Sequence, residues 1–98
     1  MARATWKGAV LAESENYEIV EGNVYFPPAT IRRSEFEPSR TVTHCPWKGE
    51  AHYYNVRVGS DVNRDAAWYY PDPKPAAANI KDHVAFWRGV TVDRDPGR

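Results

Sequence analysis

Apolar positions in this chain fall in short runs, seldom at helical spacing, and glycine or proline cuts nearly every run. Short runs rich in β-branched and aromatic residues, bounded by such breakers, read as strands. Trp6 to Glu13 predicts a first strand, with Gly8 inside it as a bulge or a close backbone contact. Tyr17 to Val20 and Val24 to Phe26 flank Gly22-Asn23, a hairpin signal because glycine adopts positive φ without steric cost. A two-residue loop at that pair sets Ile19 opposite Phe26 and Val20 opposite Tyr25. Pro27-Pro28 then stops the strand, since neither residue donates to a ladder. Ala29 to Phe36 predicts a turn or two of helix, ended by Glu37-Pro38-Ser39. So short a helix must dock, and Ile31 and Phe36 are the residues to do it.

The second half repeats this alternation. Arg40 to Cys45 and Ala51 to Val58 predict strands joined through Pro46-Trp47-Lys48-Gly49, where Pro46 suits the second position of a turn. Asp65 to Tyr70 predicts another strand. Pro71-Asp72-Pro73-Lys74-Pro75 reads as a stiff extended connector. Ala76 to Asp82 favours a short helix with Pro75 in its first turn. His83 to Trp87 and Val90 to Asp93 frame Arg88-Gly89 as a last hairpin, and residues 94–98 form a frayed tail. With no internal repeat and no domain boundary, residues 1–98 form a mainly β fold: a single small domain of antiparallel strands with one or two short helices.

Composition narrows the function classes. Hydrophobic residues make up 42% and charged residues 27%, which is globular rather than disordered. Lys plus Arg and Asp plus Glu both number 13, so the net charge is +0. That balance argues against nucleic acid or an anionic membrane as the partner, because either needs a basic excess on one face. A lone cysteine closes no internal disulfide, and one thiol with three scattered histidines makes no structural zinc site. The first residues carry no apolar core of a leader, and no apolar run is long enough to cross a bilayer. The expectation is a cytoplasmic protein with a reduced thiol and without a metal or cofactor. Its oligomeric state is not written in the sequence.

Candidate chemistry concentrates in Thr43-His44-Cys45-Pro46-Trp47-Lys48-Gly49. A thiol becomes a strong nucleophile only beside a cation or a helix N-terminus. His44 directly precedes Cys45, and adjacent strand residues face opposite ways, so those two make no natural dyad unless the chain bulges there. His52 is the better base. With a four-residue loop at 46–49 and no bulge, Cys45 pairs with Glu50 and Thr43 with His52, so Cys45, Glu50 and His52 share a face. A loop one residue shorter or longer undoes this. Cys45 and His52 are thus the catalytic candidates, against the commoner case of a cysteine that merely packs. Lys48 in the turn is either solvated or faces an anionic or carbonyl group over an aromatic floor. Trp47, Trp68 and Tyr70 each combine an apolar face with a polar handle, which suits a core or a pocket equally. A concavity walled by Trp47, Trp68 and Tyr70, with Tyr53, Cys45 and Lys48 near it, is the sharpest pocket hypothesis. No glycine-rich phosphate loop, GxSxG elbow, HExxH or CxxC pair is present.

Leu11-Ala12-Glu13-Ser14, Tyr25-Phe26-Pro27, Cys45-Pro46-Trp47-Lys48-Gly49-Glu50-Ala51 with Tyr53, Trp68-Tyr69-Tyr70 and Val84-Ala85-Phe86 resemble, in order, the family catalogued as domain of unknown function 427. The resemblance spans nearly the whole chain, and Cys-Pro-Trp-Lys-Gly is its most specific part. It implies a small antiparallel fold similar to the β-tent or Mss4-like group, which includes B-type methionine sulfoxide reductases, guanine-exchange and chaperone-like proteins, and the ligand-binding domain of cereblon. Many members hold zinc on paired CxxC motifs; this chain has none, so no zinc carries over. The family has also been labelled nucleotidyltransferase-like, but the glycine-serine loop and paired metal-binding aspartates of such enzymes are missing here. Fold alone does not fix function.

Three readings follow. The first is a module that binds a small polar ligand or modified group among Tyr53, Trp47, Lys48, Trp68 and Tyr70. A thiol-dependent enzyme built on Cys45, with His52 or Lys48 lowering its pKa, is the alternative. The third is a protein-interaction module that docks through exposed aromatics.

Overall fold

A computed structural model describes residues 1–95. The part of the expected tail beyond Asp95 lies outside the described residues. Among the described residues nine strands form three antiparallel sheets: β1 (Ala2–Trp6), β2 (Ala9–Ser14) and β9 (Thr91–Asp93) in the order β2-β1-β9; β3 (Glu18–Val20) with β4 (Asn23–Tyr25); and β5 (Phe36–Cys45), β6 (Gly49–Val58), β7 (Asp61–Tyr69) and β8 (Val84–Phe86) in chain order. Three 3₁₀ segments, Pro28–Thr30, Arg33–Glu35 and Pro75–Ile80, stand where short helices were expected. The fold is mainly β, with no α-helix among the described residues and none long and apolar enough to cross a membrane.

Two-residue turns organise the first half. Lys7-Gly8 and Glu21-Gly22 both have positive φ at their two central positions, 51° and 79° in one and 53° and 80° in the other. This is the type I′ pattern, whose twist matches that of the flanking strands. Gly8 is therefore not a bulge within one strand; it turns β1 back onto β2, with Trp6 opposite Ala9. The second hairpin turns at Glu21-Gly22 rather than Gly22-Asn23, so Asn23 pairs with Val20 and Ile19 lies opposite Val24, not Phe26. The pairing shifts by two residues, so each side chain keeps its face and only its partner changes. Strand alternation sends Val24 and Phe26 into one cluster and Tyr25 into another.

Phe26 joins the small hairpin to the large sheet: its N–H donates to the Val84 carbonyl and its carbonyl accepts from the Val84 N–H, both at 2.8 Å. The main core lies between the β1–β2–β9 sheet and one face of the β5–β8 sheet, where Ala2, Ala4 and Leu11 meet Val56, Val84 and Phe86. Ile31 and Phe36 dock into that core as expected, although Phe36 already begins β5. Glu37-Pro38-Ser39 consequently runs inside a strand rather than ending a helix. The opposite face of the sheet carries the second cluster, in which Ala77 and Ile80 of the last 3₁₀ segment cover Ala51, Tyr70 and Ala85.

Arg88-Gly89 turns the chain as expected but makes no hairpin. β8 pairs with β7, whereas β9 crosses to β1 in the other sheet. β9 thereby closes the first sheet with a segment from the far end of the chain.

Candidate functional site

The turn after β5 holds three residues, Pro46 to Lys48, and not four. Cys45 pairs with Gly49, His44 with Glu50, Thr43 with Ala51 and Val42 with His52. Residues opposite each other share a face, so Cys45 lies with Thr43, Ala51 and Tyr53, and His52 lies with His44 and Glu50 on the other side. This corrects the expected grouping of Cys45, Glu50 and His52. His52 is instead hydrogen-bonded to Glu50 through Nε2 at 2.9 Å and leans on Tyr69, its partner on β7. Cys45 packs against the second cluster with no histidine on its face of the hairpin.

Gly49 shows why the turn is tight. Its φ is +113°, and a Cβ there would lie 3.3 Å from the Asp72 carbonyl oxygen. The proline-rich connector crosses the turn at that point. The Lys74 N–H donates to the Lys48 carbonyl at 2.9 Å, and Lys74 Nζ donates to the Pro46 carbonyl at 2.5 Å.

With the turn strapped down, Lys48 folds inward. It is the one buried charged residue among the described residues, 7% exposed. Its ammonium donates to Glu21 from the β3–β4 turn, and lies 5.3 Å from the Trp47 ring centre and 5.7 Å from that of Tyr70. Burial by itself would lower the Lys48 pKa; the Glu21 hydrogen bond and the neighbouring Tyr25 and Tyr70 outweigh it, and the net shift is upward. The hydrogen bond from Lys48 holds the Glu21 carboxyl below its ordinary value. Burial pushes the Tyr70 phenol up to about 12, with the Lys48 charge acting in the other direction. Lys48 and Tyr70 therefore belong to the packed interior and are not walls of an open pocket.

A pH prediction follows from these directions. Raised above 10.5, Lys48 contributes stability that is complete below 10.5 and lost as pH rises through its folded value. Glu21, lowered from 4.5, contributes stability that is present above 4.5 and lost as pH falls. Glu21→Ala should remove the acid loss and leave the ammonium buried without its partner. Lys48→Met should be tolerated, staying within about 1 kcal/mol of the parent, because it replaces the charge by an apolar chain of similar volume and leaves Glu21 in water. Urea midpoints at neutral pH test the order: Glu21→Ala below Lys48→Met. The reverse order would mean that the pair does not govern the site.

The aromatic surface lies farther along the same sheet face. Trp68 Nε1–H donates to the Tyr25 hydroxyl at 3.2 Å, which links the interior cluster to the surface. Trp68 meets Trp87 edge-on with ring centres 5.7 Å apart, and Tyr53 is 6.5 Å from Trp87. Tyr53 is steadied by Thr43 at 2.9 Å. Trp87 is 44% exposed, yet it is fixed in place: its Nε1–H donates to the Asp65 carbonyl at 2.5 Å, and the Arg88 guanidinium lies 4.6 Å from its ring centre. Trp47, 40% exposed, lies at the other end beside Lys48.

Of the expected ligand contacts, the structure leaves Tyr53 and Trp68 half-exposed and Trp47 open, and it buries Lys48 and Tyr70. It adds Trp87, Glu21 and Asp65, which no motif singled out, and Tyr25, which the family resemblance quoted without a role. Trp87 shared its pattern with any strand-end aromatic; the Arg88-Gly89 turn beside it was its only local signal. Hollows mark the surface of the described residues, three of them of similar size. One of ≈ 410 Å³ lies beside Glu15 and His83, one of ≈ 290 Å³ between β4 and β9, and one of ≈ 360 Å³ at Ser39 and Asp65. None of the three is lined by Trp47, Lys48, Trp68 or Tyr70. No group of three or more His, Cys, Asp or Glu able to hold a metal occurs among the described residues.

The arrangement defines a small antiparallel β domain with a supported aromatic face beside a buried lysine that is paired with an exposed glutamate. The chain belongs to the family described as domain of unknown function (DUF427), whose family model matches residues 1–95. Comparison with curated proteins returned no match.

Proposed function

We propose that the chain is a binding module for a small polar ring compound, received on the open aromatic face of Tyr53, Trp68 and Trp87 rather than in a closed pocket. The observation that carries this reading is Trp87. A large exposed indole normally costs conformational entropy when a ligand orders it. Here the Asp65 carbonyl and the contacts with Trp68 and Arg88 have already fixed the ring, so its broad face is ready to stack. The thiol has no role in this reading, which the placement of His52 on the opposite face of the hairpin from Cys45 supports. A free thiol and a net charge of +0 are in keeping with a cytoplasmic setting and a small-molecule partner.

Tryptophan indole N–H resonances, followed while a panel of neutral sugars, nucleosides and heteroaromatic amides is added, test the reading. A ligand should move the Trp68 and Trp87 signals and leave Trp6 in place. Trp87→Ala should weaken that ligand about tenfold or more, as truncating a central aromatic contact does. Cys45→Ala should leave its affinity unchanged. A ligand whose affinity survives Trp87→Ala and Trp68→Ala would remove the aromatic face from the account.

A further inference from the structure

Beside the aromatic face the sheet has a paired irregularity. Between Pro38↔Tyr54 and Val42↔His52, β5 advances four residues while β6 advances two. Between Tyr54↔Ala67 and Val56↔Asn63, β7 advances four while β6 again advances two. Both neighbours of β6 therefore bulge, at successive levels that meet at Tyr54, and bulges of this kind re-aim side chains. The bulged segments clasp each other across the strand. Ser39 Oγ donates to Asp65 Oδ1 at 2.5 Å, Thr41 Oγ1 donates to Oδ2 at 2.8 Å, and the Asp65 N–H donates to Asn55 Oδ1 at 2.9 Å. Asp65 is held in the left-handed region, at φ +55°, a conformation uncommon for a residue with a side chain.

This clasp floors the hollow of ≈ 360 Å³, whose rim carries Arg40 from β5 and Arg64 from β7. Both arginines are exposed, and neither forms an ion pair among the described residues. The Asp65 carboxyl is held below its usual range, first by the Ser39 hydrogen bond, so it stays charged near neutrality. Its two oxygens are already occupied by hydroxyls, and two guanidinium groups against one carboxylate leave the hollow net positive. The hollow also adjoins the aromatic face. The Asp65 carbonyl receives the Trp87 indole, and Asn55 and Tyr53 lie two residues apart on one face of β6, roughly 7 Å along the strand.

We propose that this hollow is the anion subsite of the aromatic face: the ligand is a ring compound carrying a phosphate or carboxylate, with the ring stacked at Tyr53, Trp68 and Trp87 and the anionic group held between Arg40 and Arg64. The inference rests on the binding reading above. It deepens that reading by naming the charge of the ligand. Planar guanidinium groups suit both anions, since each presents paired N–H donors to two oxygens.

The test uses matched probes at low ionic strength, where screening is weak: glucose and glucose 6-phosphate, adenosine and adenosine monophosphate, benzamide and benzoate, and inorganic phosphate alone. Amide, indole and arginine side-chain resonances are followed in the parent, in Arg40→Gln and in Arg64→Gln. The expected result is that an anionic ring compound moves both the Trp87 indole and the Arg40 and Arg64 signals. It should bind about tenfold tighter than its neutral counterpart, an advantage lost in either arginine variant and reduced by salt. If phosphorylated probes gain and benzoate does not, the anion is a phosphate; the converse assigns a carboxylate. Equal binding of neutral and anionic rings, unaffected by the arginine substitutions, would overturn the inference and leave the aromatic-face reading standing. Inorganic phosphate shifting the arginines while no ring compound moves the indoles would overturn both, as would no response to any probe.

Discussion

Phe26→Ala should cost about 3–5 kcal/mol of folding free energy, the range for truncating a fully buried phenylalanine. Phe26 is 0% exposed and its ring meets Phe86 at 5.7 Å. Its backbone also exchanges two hydrogen bonds with Val84, so the side chain anchors the point where the β3–β4 hairpin joins the large sheet. Domains of this size are stable by roughly 5–15 kcal/mol, so the variant should lose a large part of the total. A cavity there also loosens the hairpin that carries Glu21, and the Lys48 pair should weaken with it. Urea denaturation followed by tryptophan fluorescence measures the loss, and Phe26→Leu should recover most of it. A cost below about 1 kcal/mol would show that the junction repacks and that Phe26 is not its anchor.

The second large effect is expected at Gly49. Alanine there must hold φ near +113°, and its Cβ would approach the Asp72 carbonyl oxygen to 3.3 Å and the Lys74 nitrogen to 3.5 Å. Backbone strain of this kind costs of order 1–3 kcal/mol, and the contact adds to it because both neighbours are main chain. Relief comes most easily by lifting the proline-rich strap, which would break the Lys74 N–H bond to the Lys48 carbonyl. Gly49→Ala should therefore lower the melting temperature and speed hydrogen exchange at the Lys74 amide. Gly59 is the control: its φ is also positive, at +60°, but a Cβ there meets nothing within 4 Å. Gly59→Ala should cost only turn strain and leave Lys74 protected. Equal exchange at Lys74 in both variants would mean that the strap does not depend on the missing Cβ.

These two positions show how the protein divides its roles. Phe26 ties the hairpin to the sheet, and the strap over Gly49 presses Lys48 inward against Tyr70 and Glu21. Together they hold one half of the sheet face closed. The other half, from Tyr53 through Trp68 to Trp87, stays open and rigid, and the Asp65 clasp supports it from below.

Strand content, the breaks at Pro27-Pro28 and Pro71–Pro75, and the docking of Ile31 and Phe36 were legible in the sequence, because alternation and proline act within a few residues. The opposition of His44 and Cys45 was legible for the same reason. What lay beyond it was set by contacts between distant segments. A turn of three residues instead of four parted Cys45 from His52, and the choice rests on a strap almost thirty residues away, by the span from Pro46 to Lys74. Lys48 reads in sequence as a solvated turn lysine; only Glu21, Trp47 and Tyr70 converging on it make burial tolerable. Trp87 is exposed yet fixed because Asp65, on another strand, takes a left-handed conformation that Ser39, Thr41 and Asn55 enforce. Local pattern thus determined which segments are strands and which residues favour burial. Register, the partner of β9 and the make-up of the candidate site were left to the tertiary structure, since a one-residue slip costs little locally and reverses every face it touches.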